Sequence, residues 1–239
     1  MTHQAALWRR LAAEFLGTAL LVTVVVGSGI AAQNLSRDTG LQLFENAVVT
    51  AAGLAVLILM FGPVSGGHFN PVVSLGDWVL GRRKRTGLST ADLGAYVCAQ
   101  TLGAVTGAVL ANEMYARGLA HWSQHVRTGR HIWLGEVVAT AGLVLLIVGL
   151  ARAGNARQAP WAVGAYIGAA YWFTSSTSFA NPAVSVGRAF TNTFAGIAPR
   201  SLPGFLVAQL IGGAVGIALV VVLYPRAEAV AADLVVPHD

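Results

Sequence analysis

With 55% hydrophobic residues, only 10% charged ones and a mean hydropathy of +0.64, this 239-residue chain cannot coat a water-soluble globule, because a soluble domain carries about a quarter of its residues as charges. The net charge of +5 does not imply nucleic acid, since the densest basic run, Arg82-Arg83-Lys84-Arg85, has no interleaved aromatics and lies between apolar segments, as a cytoplasmic loop would. A single cysteine, Cys98, excludes an intrachain disulfide and any multi-cysteine metal site.

Residues 11–33 form the first apolar run, long enough to span a bilayer, which takes about 20 residues. A removable leader is the competing reading, but the run is too long, carries Glu14, and recurs later in the chain. A second span covers 44–62. It is followed by SGGHFNPVVSLG (65–76), in which Asn70 is a favoured N-cap and Pro71 fits the first helical turn. The pattern predicts a helix over 70–80, about 16 Å long, half a hydrocarbon thickness. Spans three and four cover 90–111, with Cys98 as a small core residue, and 131–151; the loop 112–130 lies between them. A fifth span is expected over 160–177, a second Asn-Pro helix over 181–192, a sixth span over 202–224, and a dangling tail over 227–239.

The chain repeats itself. AEFLGTALLV (13–22) matches GEVVATAGLV (135–144), setting Glu14 against Glu136, and AQTLGAVTGAVL (99–110) matches AQLIGGAVGIAL (208–219), setting Gln100 against Gln209. Asn70 pairs with Asn181. Three spans per half force the second half to insert upside down, the inverted-repeat pattern in which broken helices mark a site near the membrane midplane. The organisation is therefore a first repeat (1–115), a connecting extracellular loop (116–130), a second repeat (131–226) and a cytoplasmic tail (227–239). Nine of the fifteen Lys and Arg residues fall on the side of the termini, which places both termini in the cytoplasm. The fold class is an all-α membrane protein with six spans and two re-entrant half-helices in an inverted 3+3 repeat.

Two half-helices meeting N-terminus to N-terminus make a seventh span. Irregular backbone at that depth is tolerated only if buried or lining a wet cavity. The carbonyls of Gly66, Gly67, His68, Ser176 and Thr177 form an acceptor ladder leading to Asn70 and Asn181, and two positive dipole ends at the centre disfavour cations there. Glu14 and Glu136 read as braces for the loops, with a proton relay as the competing role. Gln100 and Gln209 read as buried hydrogen-bonding braces, and His68 as a pore-side residue of the cytoplasmic mouth. Gly103, Gly107, Gly212, Gly213 and Gly216 permit close helix approach. No nucleophile–base pair or metal cluster emerges, so an enzyme is disfavoured and no cofactor is expected. His121, His125 and His131 lie in or beside a loop whose expected mobility argues against a metal site.

AEFLGT, SGGHFNP, the second Asn-Pro-Ala and the two AQxxG stretches resemble the major intrinsic proteins, the aquaporins and aquaglyceroporins, over essentially the whole chain. The resemblance implies a right-handed bundle, a homotetramer with one pore per protomer, passive permeation, and a multi-pass place in a bacterial-type inner membrane. It implies a central constriction at Asn70, Pro71, Val72, Asn181, Pro182 and Ala183. Val72, where the family has Ala, calls either for repacking or for a shifted constriction.

The family also sorts solutes at a four-residue filter, which counting from the two Asn residues assigns to Thr50, Ala169, Ser178 and Val184. None is aromatic, His or Arg, so the resemblance implies a wide filter lacking arginine. Members with Val at the place of Val184 resemble channels encoded beside arsenic-resistance genes. The expected solutes are glycerol-like polyols, arsenous acid or methylated arsenicals, with some water. The alternatives are a water-selective pore, narrowed by Arg188 one turn beyond Val184 or by the 112–130 loop, and a coupled secondary transporter.

Overall fold

The computed structural model describes residues 5–82 and 86–224; the tail 227–239 and part of the basic run, Arg83, Lys84 and Arg85, lie outside the described residues. Eight α-helices follow in order: α1 (Leu7–Leu35), α2 (Thr39–Ser65), α3 (Pro71–Gly81), α4 (Thr90–Met114), α5 (Arg130–Arg152), α6 (Ala159–Phe173), α7 (Pro182–Arg188) and α8 (Leu202–Leu223). Of these, α1, α2, α4, α5 and α8 are long and apolar enough to cross a membrane. The protein is an all-α membrane bundle. Below, the end carrying the N-terminus of α1 is called the near end and the opposite one the far end.

Three of the sequence expectations need correction. The fifth span stops at Phe173 instead of 177, leaving α6 only 15 residues, or ~22 Å. Thr174 turns extended there, and its hydroxyl donates to the Ala170 carbonyl at 2.7 Å, which ends the helix in place of a further turn. The second half-helix covers Pro182–Arg188, not 181–192. Beyond it the carbonyls of Ala189 and Phe190 accept from Ser123 and His121 of the connecting loop, so they are engaged outside any helix. Cys98 is exposed on the outer face of α4 and is no core residue.

The twofold repeat is visible in the packing. Helix α1 packs most extensively on α4, and α5 on α8; α2 meets α6 across the two halves. The half-helices cross over: α3 touches α8, and α7 lies against α4. Small residues make these contacts possible. A Cβ on Gly107 would sit 2.1 Å from the Ala19 carbonyl oxygen of α1, and one on Gly103 would sit 2.4 Å from that of Phe15. The same close approach recurs between α8 and α5, where Gly212 faces Val137 and Gly216 faces Ala141.

The opposite signs expected at two glycines of α4 check this account. Gly107→Ala should destabilise by about 1–3 kcal/mol, since backbone must move apart. Gly94→Ala, with nothing within 4 Å of the added carbon, should be neutral or stabilise by up to about 1 kcal/mol. Thermal denaturation in one detergent reads both; equal effects would refute the close-packing explanation.

Candidate functional site

Each Asn-Pro helix begins with a side-chain cap. Asn70 Oδ1 accepts from the Val72 N–H at 2.9 Å, and Asn181 Oδ1 accepts from that of Val184 at 3.2 Å. The two amide nitrogens then bond crosswise. Asn70 Nδ2 donates to the Ala180 carbonyl at 2.8 Å, and Asn181 Nδ2 donates to that of Phe69 at 2.7 Å. Both accepting residues are left-handed, with φ of 48°, a conformation that costs roughly 1–3 kcal/mol for a side chain with Cβ.

Two buried carboxylates hold these strained turns. Glu14 accepts from Ser65 Oγ at 2.7 Å, from the N–H groups of His68 and Phe69 at 3.0 and 2.7 Å, and from Gln100 Nε2 at 2.7 Å. Glu136 accepts from the N–H groups of Phe179 and Ala180 at 2.8 and 2.9 Å and from Gln209 Nε2 at 2.6 Å. The glutamines reach on to Ser74 and Ser185, each at 2.9 Å. Every carboxylate oxygen is therefore occupied by a donor, the arrangement a loop brace requires.

A cavity of about 620 Å³, counting its open mouths, runs past this junction. Its lining takes apolar side chains from the long helices, Leu21, Val25, Leu54, Ile58, Leu143, Ile147, Val163 and Ile167, together with Gly67, His68, Asn70, Ser178 and Asn181 from the loops and half-helix starts. Of the six residues expected at the centre, only Asn70 and Asn181 bound the cavity; Pro71, Val72, Pro182 and Ala183 do not. Val72 instead packs into the space left by Gly213, where a Cβ would come within 2.6 Å of its Cγ1. That contact is the one the repacking alternative calls for. Of the proposed carbonyl ladder, Gly67 and His68 bound the cavity, while Gly66, Ser176 and Thr177 do not; Phe179 and Ala180 take their place.

The far end brings together residues that counting along the chain does not. Thr50, Ser178 and Val184 line the cavity, but Ala169 is exposed on the outer side of α6. Tyr171 occupies the lining instead and donates its hydroxyl to Thr50 Oγ1 at 3.3 Å. Arg188 also lines the cavity, as the alternative reading of that residue anticipates. The residue is 2% exposed, and its guanidinium donates through Nε to the Ala195 carbonyl and lies 3.4 Å from the centre of the Phe179 ring. Ser178 Oγ is buried and has no hydrogen-bond partner among the described residues. One signal for Tyr171 was available in the sequence: Val163, Ile167 and Tyr171 recur every four residues along one helix face.

The connecting loop is tied to the second repeat by hydrogen bonds. Beyond its bonds to Ala189 and Phe190, its Gln124 N–H donates to Asn192 Oδ1 at 3.0 Å, and its His125 carbonyl accepts from the Ala198 N–H at 2.7 Å. Among the described residues no three His, Cys, Asp or Glu side chains cluster as a metal site would require.

The sequence profile of the family described as major intrinsic protein matches residues 1–193. Aquaglyceroporin AqpS of Rhizobium meliloti is 51% identical over 213 residues, covering 89% of each chain. The chain belongs to the major intrinsic protein family. The glycerol uptake facilitator protein of Pseudomonas aeruginosa is a more distant member, 30% identical over 244 residues, covering 85% of this chain and 84% of its own. The X-ray structure of an aquaglyceroporin from Plasmodium falciparum superposes with a TM-score of 0.69, covering 94% of this chain and all of that one; at 19% identity the likeness is one of fold. A major intrinsic protein is a passive membrane channel and not an enzyme, which sets aside the coupled-transporter alternative.

Proposed function

We propose that this channel conducts small uncharged hydroxylated solutes, with glycerol-like polyols first and arsenous acid or methylated arsenicals as further substrates, along with some water. One observation carries the reading: eight apolar side chains of α1, α2, α5 and α6 line the cavity together with a smaller set of polar groups. Water gains nothing from an apolar lining, whereas each buried CH2 of a polyol is worth about 0.8 kcal/mol. The polar groups offer the second amide hydrogens of Asn70 and Asn181, and the hydroxyls of Ser178 and Thr50, to the solute's oxygens. Arsenous acid, neutral near pH 7, presents hydroxyls in a similar shape.

Val184 supports passage of solutes larger than water, because apolar bulk stands there without donors of its own. Arg188 is drawn sideways onto Phe179 and the Ala195 carbonyl, so the mouth keeps a positive charge without a guanidinium at 184. That same guanidinium in the cavity supports the competing water-selective reading. The far end, on this proposal, faces outward, both termini are cytoplasmic in a bacterial-type inner membrane, and the working unit is a homotetramer. AqpS, an aquaglyceroporin by name, supports the solute class.

Stopped-flow light scattering on proteoliposomes tests the proposal with water, glycerol and arsenous acid. Wild type should pass all three well above empty vesicles. Val184→Arg should cut glycerol and arsenous acid at least tenfold while slowing water less, since a second guanidinium fills the mouth. Passage of water alone by wild type would replace this reading with the water-selective one.

A further inference from the structure

We infer that Arg127, on the connecting loop, is a specificity-determining residue that joins Arg188 in forming the positive barrier excluding protons and cations from the far mouth. The inference rests on the channel reading above. Arg127 does not bound the cavity itself; it acts from immediately behind it, through its charge.

Arg127 reaches from the loop into the second repeat. Its Nε donates to the Gly196 carbonyl at 2.9 Å and its Nη2 to that of Phe194 at 3.1 Å. Its Nη1 stands 3.5 Å from Thr177 Oγ1, at the bend leading to Asn181. The guanidinium carbon lies 5.2 Å from the centre of the Phe179 ring, the ring on which Arg188 rests. Two guanidiniums therefore share one aromatic ring that itself lines the cavity.

Neither guanidinium forms an ion pair; the one among the described residues is Arg10 with Asp92, at the near end. The Glu136 carboxylate, bonded to the N–H groups of Phe179 and Ala180, acts on both guanidiniums from a distance, but it is one negative charge against two positive ones. Carbonyl oxygens fix the guanidiniums without cancelling them, so their field extends into the mouth. The neighbouring His125 registers that field: partial desolvation and then the positive Arg127 push its imidazole below the ordinary value. The twofold repeat breaks here too. His68, the counterpart of Phe179, lies within hydrogen-bond distance of Ser74 Oγ at 3.0 Å and packs against the Tyr96 ring.

A merely structural Arg127 would rivet the loop to residues 194–196 and leave ion exclusion alone. Proteoliposomes with an internal pH dye, given an imposed membrane potential, distinguish the two, with glycerol flux recorded on the same vesicles. Arg127→Gln should raise proton leak at least tenfold relative to glycerol flux, and Arg127→Lys, which keeps the charge but loses the fork, should restore exclusion. Arg130→Gln, an exposed position on the same segment, should leak like wild type. Arg127→His should exclude protons at pH 5.5 and leak at pH 8, each measured against wild type at the same pH. A wild-type leak rate in Arg127→Gln, or equal leaks in the Lys and Gln variants, overturns the inference. So does a pH-independent leak in Arg127→His, which also decides the matter should Arg127→Gln not insert. Absence of glycerol flux in wild type would instead overturn the channel reading, independently of the leak ratios.

Discussion

Replacing Glu136 by alanine is expected to remove most of the protein's margin of stability and, with it, conduction. Its side chain is fully buried, at 0% exposure, and water cannot readily take over its bonds. Three donors lose their acceptor together: the N–H groups of Phe179 and Ala180 and the amide of Gln209. A buried donor left unsatisfied costs about 1–3 kcal/mol, so the loss is roughly 3–9 kcal/mol against a typical total of 5–15. The strained turn at Ala180 loses the contact that holds it, and its carbonyl then no longer meets Asn70 Nδ2. Glu136→Gln keeps one acceptor but turns an NH2 toward N–H donors, so it should fall between wild type and alanine. Thermal denaturation in detergent and glycerol flux per inserted protein measure the series. An alanine variant that melts and conducts like wild type would mean other groups satisfy the turn.

The paired carboxylates were legible in the sequence because a charge inside a span has few ways to be satisfied, and the repeat placed the two at matching positions. The Asn pair was legible for the same reason: an N-cap followed by proline can only start a helix, and it occurs twice. What escaped was geometry set by distant partners. Counting twelve residues back from Asn181 assumes a helix running on toward 177. Helix α6 ends at Phe173, and at 100° per residue the faces carrying Ala169 and Tyr171 lie roughly 200° apart. Arg188 was recognised as a candidate, but its direction depends on the Ala195 carbonyl and the Phe179 ring, which no local pattern encodes. Arg127 lay in a loop with no periodicity, and its reach depends on bonds to Phe194 and Gly196, almost seventy residues away in sequence.

Arg188→Leu should convert the far mouth from a charge-screened opening into an apolar one, raising both solute flux and proton leak. Leucine keeps bulk on the half-helix but supplies neither charge nor donors. A unit charge 4 Å from a second cation costs about 4 kcal/mol at an effective dielectric constant of 20. Even half of that barrier corresponds to roughly a 30-fold change in cation entry. Glycerol should also pass faster, because the guanidinium that narrows the cavity beside Tyr171 and Ser178 is gone. One structural cost accompanies this: the Ala195 carbonyl loses its donor, worth about 1–3 kcal/mol if no water replaces it. Arg188→Lys separates the effects, since it keeps the charge while losing the planar fork. If charge sets the barrier, Lys excludes protons nearly as wild type does, although its glycerol rate changes. If Lys and Leu leak alike, the barrier depends on the fork's grip on Phe179 and Ala195. A wild-type leak in Arg188→Leu would reduce Arg188 to a tie between α7 and the segment after it, and leave ion exclusion to Arg127 and the half-helix dipoles meeting at Asn70 and Asn181.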